Sequence, residues 1–288
     1  MQKLFVILLC ALCLTGEAMA QTRTEGSVLR VMSYNIRYDG PDDRPNWRER
    51  RPHMSAQIRF FAPDILGVQE ALPHMVDGLA VDLTGYDHYG LGRDDGKVGE
   101  STTVFYNRAR FERLSAATQW CSPAPDRPGK AYDAAYPRTI TRLVLKDRRT
   151  GQVFDVRNTH FDHVGEAARQ ACARQLKGMA AFRGARVIVM GDFNTGPDSE
   201  AYRILTTGTG LTLQDTRRLS PIVFGPQGTF NGFDIRRSGT AIDHIFVGEG
   251  LDVERFGVLT DSFDGQVISD HFPLVADIRL EDLKRAKK

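Results

Sequence analysis

Arg186-Val187-Ile188-Val189-Met190-Gly191-Asp192-Phe193-Asn194 is an apolar run that ends in a glycine, a carboxylate, an aromatic ring and an amide. Residues 186–190 read as a buried strand, because short β-branched runs suit a pleated surface covered on both faces. The polar residues arrive where the strand runs out, which places them on the rim of a sheet. In extended geometry Asp192 and Asn194 project to one side, and Phe193 projects to the other, into apolar packing. An Asx turn ahead of Pro197 is the alternative reading of the same residues.

Other motifs share this construction. Ser33-Tyr34-Asn35 follows the apolar residues 29–32, and Gln69-Glu70 follows 65–68. Asn158-Thr159-His160 follows 153–156, and Ser269-Asp270-His271 follows Val267-Ile268. Strands that end together can bring these carboxylates, amides and imidazoles to one rim. Hard oxygen donors with histidines beside them suit a divalent cation and a phosphate ester. Around the motifs, helical spacing is expected over 47–61, 73–83, 166–182 and 199–205. Further strands are expected over 86–91, 101–106, 111–120, 139–146, 152–158, 242–247, 251–259 and 273–278. Hairpins mixed with helical crossovers imply mixed sheets covered by helices, an α/β or α+β fold. Residues 121–137, rich in Pro, Asp and Gly, form the longest expected loop, and such loops are often functional.

With Ile242-Asp243-His244-Ile245-Phe246 and the closing Phe272-Pro273-Leu274, the series resembles the endonuclease/exonuclease/phosphatase superfamily. That superfamily includes pancreatic deoxyribonuclease, exonuclease III, inositol polyphosphate phosphatases, bacterial sphingomyelinases and deadenylases. The similarity runs over residues 29–277. It implies a four-layer sandwich, with two mixed β-sheets face to face and helices on both outer faces. It also implies roles. Glu70 resembles the metal-binding glutamate, and the Asn35 amide oxygen suits the cation or a bound water. Asp192 resembles the aspartate that orients or deprotonates water, and Asn194 the amide that holds a phosphate oxygen. His271 and His160 resemble the two phosphate-binding histidines, with Asp243 as the partner that fixes the His271 tautomer. Asp270 is expected at the metal site, either in the metal's outer shell or orienting its neighbours, and Asn158 in the same cleft. The cofactor implied is Mg²⁺, with Mn²⁺ as its substitute.

Residues 119–142 resemble a group of exported bacterial members in Trp120, Ser122-Pro123, Asp133-Ala134-Ala135 and Pro137-Arg138. Arg138 is a candidate anion clamp, against a salt bridge within its loop, and His163 a candidate third site histidine. The chain lacks a Ser-His-Asp grouping, a catalytic Cys site and a Gly-rich phosphate loop, which leaves metal-assisted attack of water. Gly228-Thr229-Phe230-Asn231-Gly232-Phe233 replaces the Trp-Cys-Asp-Arg signature of the inositol polyphosphate phosphatases. Nor is there an aromatic hairpin like that of bacterial sphingomyelinases. The expectation is a secreted Mg²⁺-dependent phosphoesterase acting on small phosphorylated or phosphodiester compounds. DNA or RNA is the alternative, then phospholipid headgroups, and last a noncatalytic binding protein.

Residues 1–20 read as a signal peptide: Lys3, an apolar stretch over 4–14, then Ala18-Met19-Ala20 as cleavage site. The stretch is shorter than the roughly 20 residues a membrane span needs. The mature protein is expected to be periplasmic or extracellular and monomeric, without stable membrane insertion. Residues 28–280 form the expected domain, and 281–288 a charged tail. Cys121 and Cys172 remain after cleavage, either as a disulfide or as separate thiols. Net charge is +2, which leans against a general nuclease. Basic clusters at Arg44/Arg48/Arg50/Arg51 and Arg138/Arg142/Lys146/Arg148/Arg149 read mainly as solvated faces.

Overall fold

The alternation along residues 187–190 sets the layering. Ile188 and Met190 face one apolar cluster, and Val187 and Val189 face another. The structure, a computed structural model, describes residues 28–280; the expected signal peptide, the leader to residue 27 and the tail 281–288 lie outside the described residues.

In chain order the first elements are β1 (Val28–Asn35), α1 (Trp47–Phe61), β2 (Ile65–Gln69), α2 (Pro73–Asp82), β3 (Tyr86–Tyr89), β4 (Val104–Asn107) and β5 (Phe111–Trp120). Then come β6 (Thr139–Asp147), β7 (Val153–His160), α3 (Glu166–Gly178), β8 (Arg186–Asp192), α4 (Glu200–Thr206), β9 (Leu213–Asp215) and α5 (Thr216–Leu219). The chain continues through β10 (Val223–Phe224), β11 (Asp243–Gly248), β12 (Asp252–Val258), β13 (Ser262–Phe263), β14 (Gln266–Val267) and β15 (Leu274–Arg279).

Seven strands form one sheet in the order β10-β12-β15-β1-β2-β4-β3, and six form the other in the order β5-β6-β7-β8-β11-β9. Both are mixed: β1–β2, β10–β12 and β7–β8 run parallel, and their other neighbours antiparallel. Leu29, Val31 and Ile65 of the first sheet meet Leu143, Val156 and Ile188 of the second in the central core. Met32, Tyr34 and Leu66 turn outward against Met54 and Ile58 of α1 and Leu79 of α2. Val187, Val189 and Phe246 turn outward against Cys172 and Leu176 of α3 and Leu205 of α4. Helix, sheet, sheet and helix are therefore the layers, as the resemblance implied.

Local chemistry fixes the element ends. Asn46 and Glu49 form a reciprocal capping box on α1. Helix α3 stops at Gly178, short of the expected 182, because buried Arg157 takes the carbonyls of Leu176 (2.8 Å) and Met179 (3.0 Å). Gly191 is required where it stands: at φ 151° a Cβ would collide with the Thr159 carbonyl of β7.

Cys121 and Cys172 form a disulfide with Cα atoms 5.0 Å apart across a sequence separation of 51. It fastens the start of the 121–137 loop to α3. Cys121 N also donates to Arg138 O at 2.7 Å, so both ends of the loop are held at one point. Replacing both cysteines by alanine is expected to cost about 2–4 kcal/mol of stability. Urea denaturation checks this, and an unchanged midpoint contradicts it.

Candidate active site

Register places the polar motifs. Across the second sheet His160 of β7 and Asp243 of β11 both pair with Asp192 of β8. In the first sheet Asn35 of β1 pairs with Gln69 of β2, so Glu70 follows directly on the same rim. The two rims meet at Asn35, whose Nδ2 donates to Glu70 Oε1 and to Asp192 Oδ2, each at 2.9 Å. Glu70 Oε2 accepts the Tyr38 N–H at 3.0 Å, and its side chain makes no cap on α2.

His271 donates from Nδ1 to Asp243 Oδ2 at 2.8 Å, leaving Nε2 3.7 Å from Asp192 Oδ2. Burial pulls this imidazole down, but the Asp243 and Asp192 carboxylates outweigh it and hold it well above the usual range. His271 is therefore an imidazolium. His160 is the opposite case: burial, with Arg138 and Arg93 nearby, holds it well below the usual range and neutral. Its Nε2 lies 3.5 Å from Asp192 Oδ2. Asp192 is pushed up to about 7 by burial and by Asp243. Asp270 is raised by burial too, and lies 3.8 Å from the Arg37 guanidinium.

Glu70, His160, Asp192, Asp270 and His271 line one cavity of about 650 Å³, with Arg138, His163 and Asn194 on its wall, while Asn35 and Asp243 are buried behind it. Single ligand atoms of Glu70, Asp192 and His271 lie within 4.8 Å of one another. His271 is cationic, so the oxygens of Glu70 and Asp192 are the candidate cation donors. Asp192 is buried and Glu70 half-buried beside it, and that hard-oxygen set fits a divalent cation.

Several expected placements change. Asn35 Oδ1 accepts the Arg37 N–H at 3.0 Å, so its amide nitrogen, not its oxygen, faces the carboxylates. Asn35 is thus a brace between Glu70 and Asp192, not an oxygen ligand. Asn158 is absent from the cavity wall. It is fully buried between the sheets, accepting from Gln69 Nε2 (2.7 Å) and donating to Val68 O (2.8 Å) and Thr103 O (3.1 Å). It shares a strand face with His160 but sits one pleat deeper, about 6–7 Å below the rim. Asn194 is not extended. At φ 49° it is left-handed, its N–H bonds Asp192 Oδ1 at 2.8 Å, and the turn reading and the cavity position hold together. Phe193 does point into apolar packing, edge-on to Phe161 and Phe246.

Arg37, Tyr38, Arg93, Glu100, Tyr136 and Phe230 also line the cavity, and no motif announced them. Arg37 had one available signal, its place two residues after Asn35. Tyr136 lies in the loop whose length marked it. Arg93 and Glu100 lie in a Gly-rich turn with no periodicity to separate them from surface.

Residues 32–271 match the model of the Endonuclease/Exonuclease/phosphatase family. The chain belongs to this family. As an endonuclease/exonuclease/phosphatase member it is a metal-dependent hydrolase of phosphoester bonds. A family protein from Bacteroides thetaiotaomicron is 32% identical with TM-score 0.83, covering 88% of this chain and 98% of that one. A mannosyl-6-phosphatase from Bacteroides thetaiotaomicron is also 32% identical with TM-score 0.82, covering 88% of this chain and 100% of that one. A family protein from Bacteroides vulgatus is 35% identical with TM-score 0.81, covering 88% of this chain and 99% of that one. No curated protein matches the chain in sequence. Among the described residues no helix is long and apolar enough to cross a membrane.

Proposed function

We propose that the chain is an exported, Mg²⁺-dependent phosphoesterase that hydrolyses small phosphorylated compounds by attack of water activated at Asp192. The observation that carries this is the meeting of Glu70, Asp192 and His271 on one cavity floor. Glu70 and Asp192 would hold the cation, with Asp270 outside them. Bound there, it supplies polarisation of a phosphate oxygen and charge on the leaving oxygen's side.

The remaining chemistry belongs to side chains. The imidazolium of His271 offers its Nε2–H to a phosphate oxygen, where negative charge grows as water adds. Neutral His160 and the Asn194 amide offer further donors without adding charge. Asp192, held in place by the Asn35 amide and the Asn194 N–H, accepts the proton from water. Support for export comes from the signal-like N-terminus and the disulfide, since such bonds persist in oxidising compartments.

A small substrate is favoured by the relative that is a mannosyl-6-phosphatase and by the fate of the basic clusters. Arg51 pairs with Asp82 at 2.8 Å, Arg142 with Asp155, and Arg148 with Glu112 at 3.7 Å. Arg50 is buried, donating to the carbonyls of Ile36, Arg37 and Tyr38. Arg50, Arg51 and Arg142 hold the fold together, and Arg44, Arg48, Lys146, Arg148 and Arg149 stay exposed on solvated faces outside the cavity lining. A panel of sugar phosphates, p-nitrophenyl phosphate, bis(p-nitrophenyl) phosphate, single-stranded DNA and sphingomyelin decides the class. Faster hydrolysis of DNA or sphingomyelin than of every small ester contradicts the proposal.

Asp243→Asn removes the carboxylate that keeps His271 protonated. Its kcat/KM is expected to fall roughly 10–100-fold, the size of a lost partner behind a site ligand. The imidazolium is the working form, so activity is lost as pH rises through its pKa. In Asp243→Asn that alkaline limb moves to lower pH. A pH–rate profile measures it, and an unmoved limb contradicts the role.

A further inference from the structure

Building on the phosphoesterase reading, we propose that Arg93, Glu100, Tyr136 and Arg138 form a leaving-group subsite for a polyhydroxylated alcohol, making sugar phosphates the substrate class. The subsite begins one ring from the reacting centre: His160 has Asp192 at 3.5 Å from Nε2 and Glu100 at 4.0 Å from Nδ1. All four residues line the same cavity as Asp192 and His271.

The chemistry on this wall is unfinished. Arg93 donates to both Glu100 oxygens at 2.7 Å, and each oxygen keeps a lone pair for another donor. Arg93 Nε is buried with no partner among the described residues. The Arg138 side chain is 5% exposed. It donates from Nε to Asp162 at 3.1 Å, and its Nη2 lies 3.0 Å from His163 Nδ1. Its Nη1 is buried with no partner among the described residues. Buried donors without acceptors are uncommon in folded proteins and mark places where a further group is accommodated.

Charge selects the ligand. Arg93 is matched by Glu100 and Arg138 by Asp162, so the wall carries no spare cation for a second phosphate. A hydroxyl both donates and accepts. Neighbouring hydroxyls can therefore satisfy the Glu100 lone pairs and the open guanidinium N–H groups together. Tyr136, 50% exposed, adds amphipathic surface, fixed by the Arg93 guanidinium at 4.7 Å and by stacking on His163 at 5.9 Å.

The wall is also rigid before any ligand arrives. Arg93 N donates to Glu100 O at 2.9 Å, and Trp120 Nε1 donates to Arg93 O at 2.7 Å. Asp162 accepts the backbone N–H groups of Ala135, Tyr136, Val164 and Gly165, which seats Arg138. Preorganised donors lose little entropy on binding.

The test compares mannose 6-phosphate with butyl phosphate, which carries the same phosphate on an alcohol without further hydroxyls. Wild type is expected to favour the sugar ester in kcat/KM. Glu100→Gln and Tyr136→Ala are each expected to lower that preference, Glu100→Gln by about tenfold or more. Tyr136 is half exposed, so its variant keeps the measurement interpretable if Glu100→Gln folds poorly. An unchanged ratio in both variants, or a wild-type preference for butyl phosphate or for propane-1,3-diyl bisphosphate, overturns the subsite. If wild type hydrolyses no ester, the phosphoesterase reading fails separately. Calorimetric binding of mannose 6-phosphate then decides the subsite: weakening in Tyr136→Ala supports it, and equal or absent binding overturns it.

Discussion

Asp192→Asn is expected to lower kcat by roughly 10²-fold or more while leaving the fold intact, because the amide keeps the shape and loses the proton acceptor. Shape matters here, since Asp192 Oδ1 takes the Asn194 N–H at 2.8 Å and Oδ2 takes the Asn35 amide at 2.9 Å. The amide oxygen can retain one of these bonds. Removing a buried charge beside Asp243 also relieves repulsion, so the melting temperature is expected to hold or rise. Stopped assays at saturating Mg²⁺ with thermal melts check both points. A variant with normal turnover at saturating metal, and only metal binding weakened, would remove the role of base from Asp192.

Glu70→Ala is expected to lose activity by about 10³-fold or more, because a bound cation supplies several kcal/mol of the charge stabilisation. Glu70 has the motivation written into its backbone. It holds φ 61°, a left-handed conformation unfavourable for a side chain of its kind, and Arg37 beside it holds φ 52°. Strained residues persist where surrounding bonds fix them, and here the Asn35 amide and the Tyr38 N–H fix both Glu70 oxygens. Far-ultraviolet circular dichroism should be unchanged in the variant. Activity retained within a few-fold would remove Glu70 from the site.

The reach of the sequence differs from element to element, for physical reasons. The strand Phe111–Trp120 is legible to both ends, because apolar patterning and flanking turns agree there. Strands β9, β10 and β13 and helix α5 went unread, since elements of two to four residues are too short to show a period. Rim residues were legible because each follows a strand's end, a local property. Depth was not: Asn158 and His160 share one motif and one strand face, and only the facing sheet decides that Asn158 is sealed between the sheets by Gln69 and Val68. Gly67 permits this approach, since a Cβ there would lie 2.8 Å from Asn158 Cγ. Amide orientation was equally out of reach, because what Asn35 faces depends on Arg37, Glu70 and Asp192 together. Arg93 and Glu100 gain their meaning from His160, on a strand of the other sheet.

The most direct test titrates Mg²⁺ into EDTA-stripped protein while following hydrolysis of p-nitrophenyl phosphate and bis(p-nitrophenyl) phosphate. No turnover is expected in EDTA, saturable recovery with Mg²⁺ or Mn²⁺, and no recovery in Glu70→Ala at the same metal concentrations. Full turnover in EDTA, or recovery of Glu70→Ala along the wild-type curve, would contradict a cation held between Glu70 and Asp192.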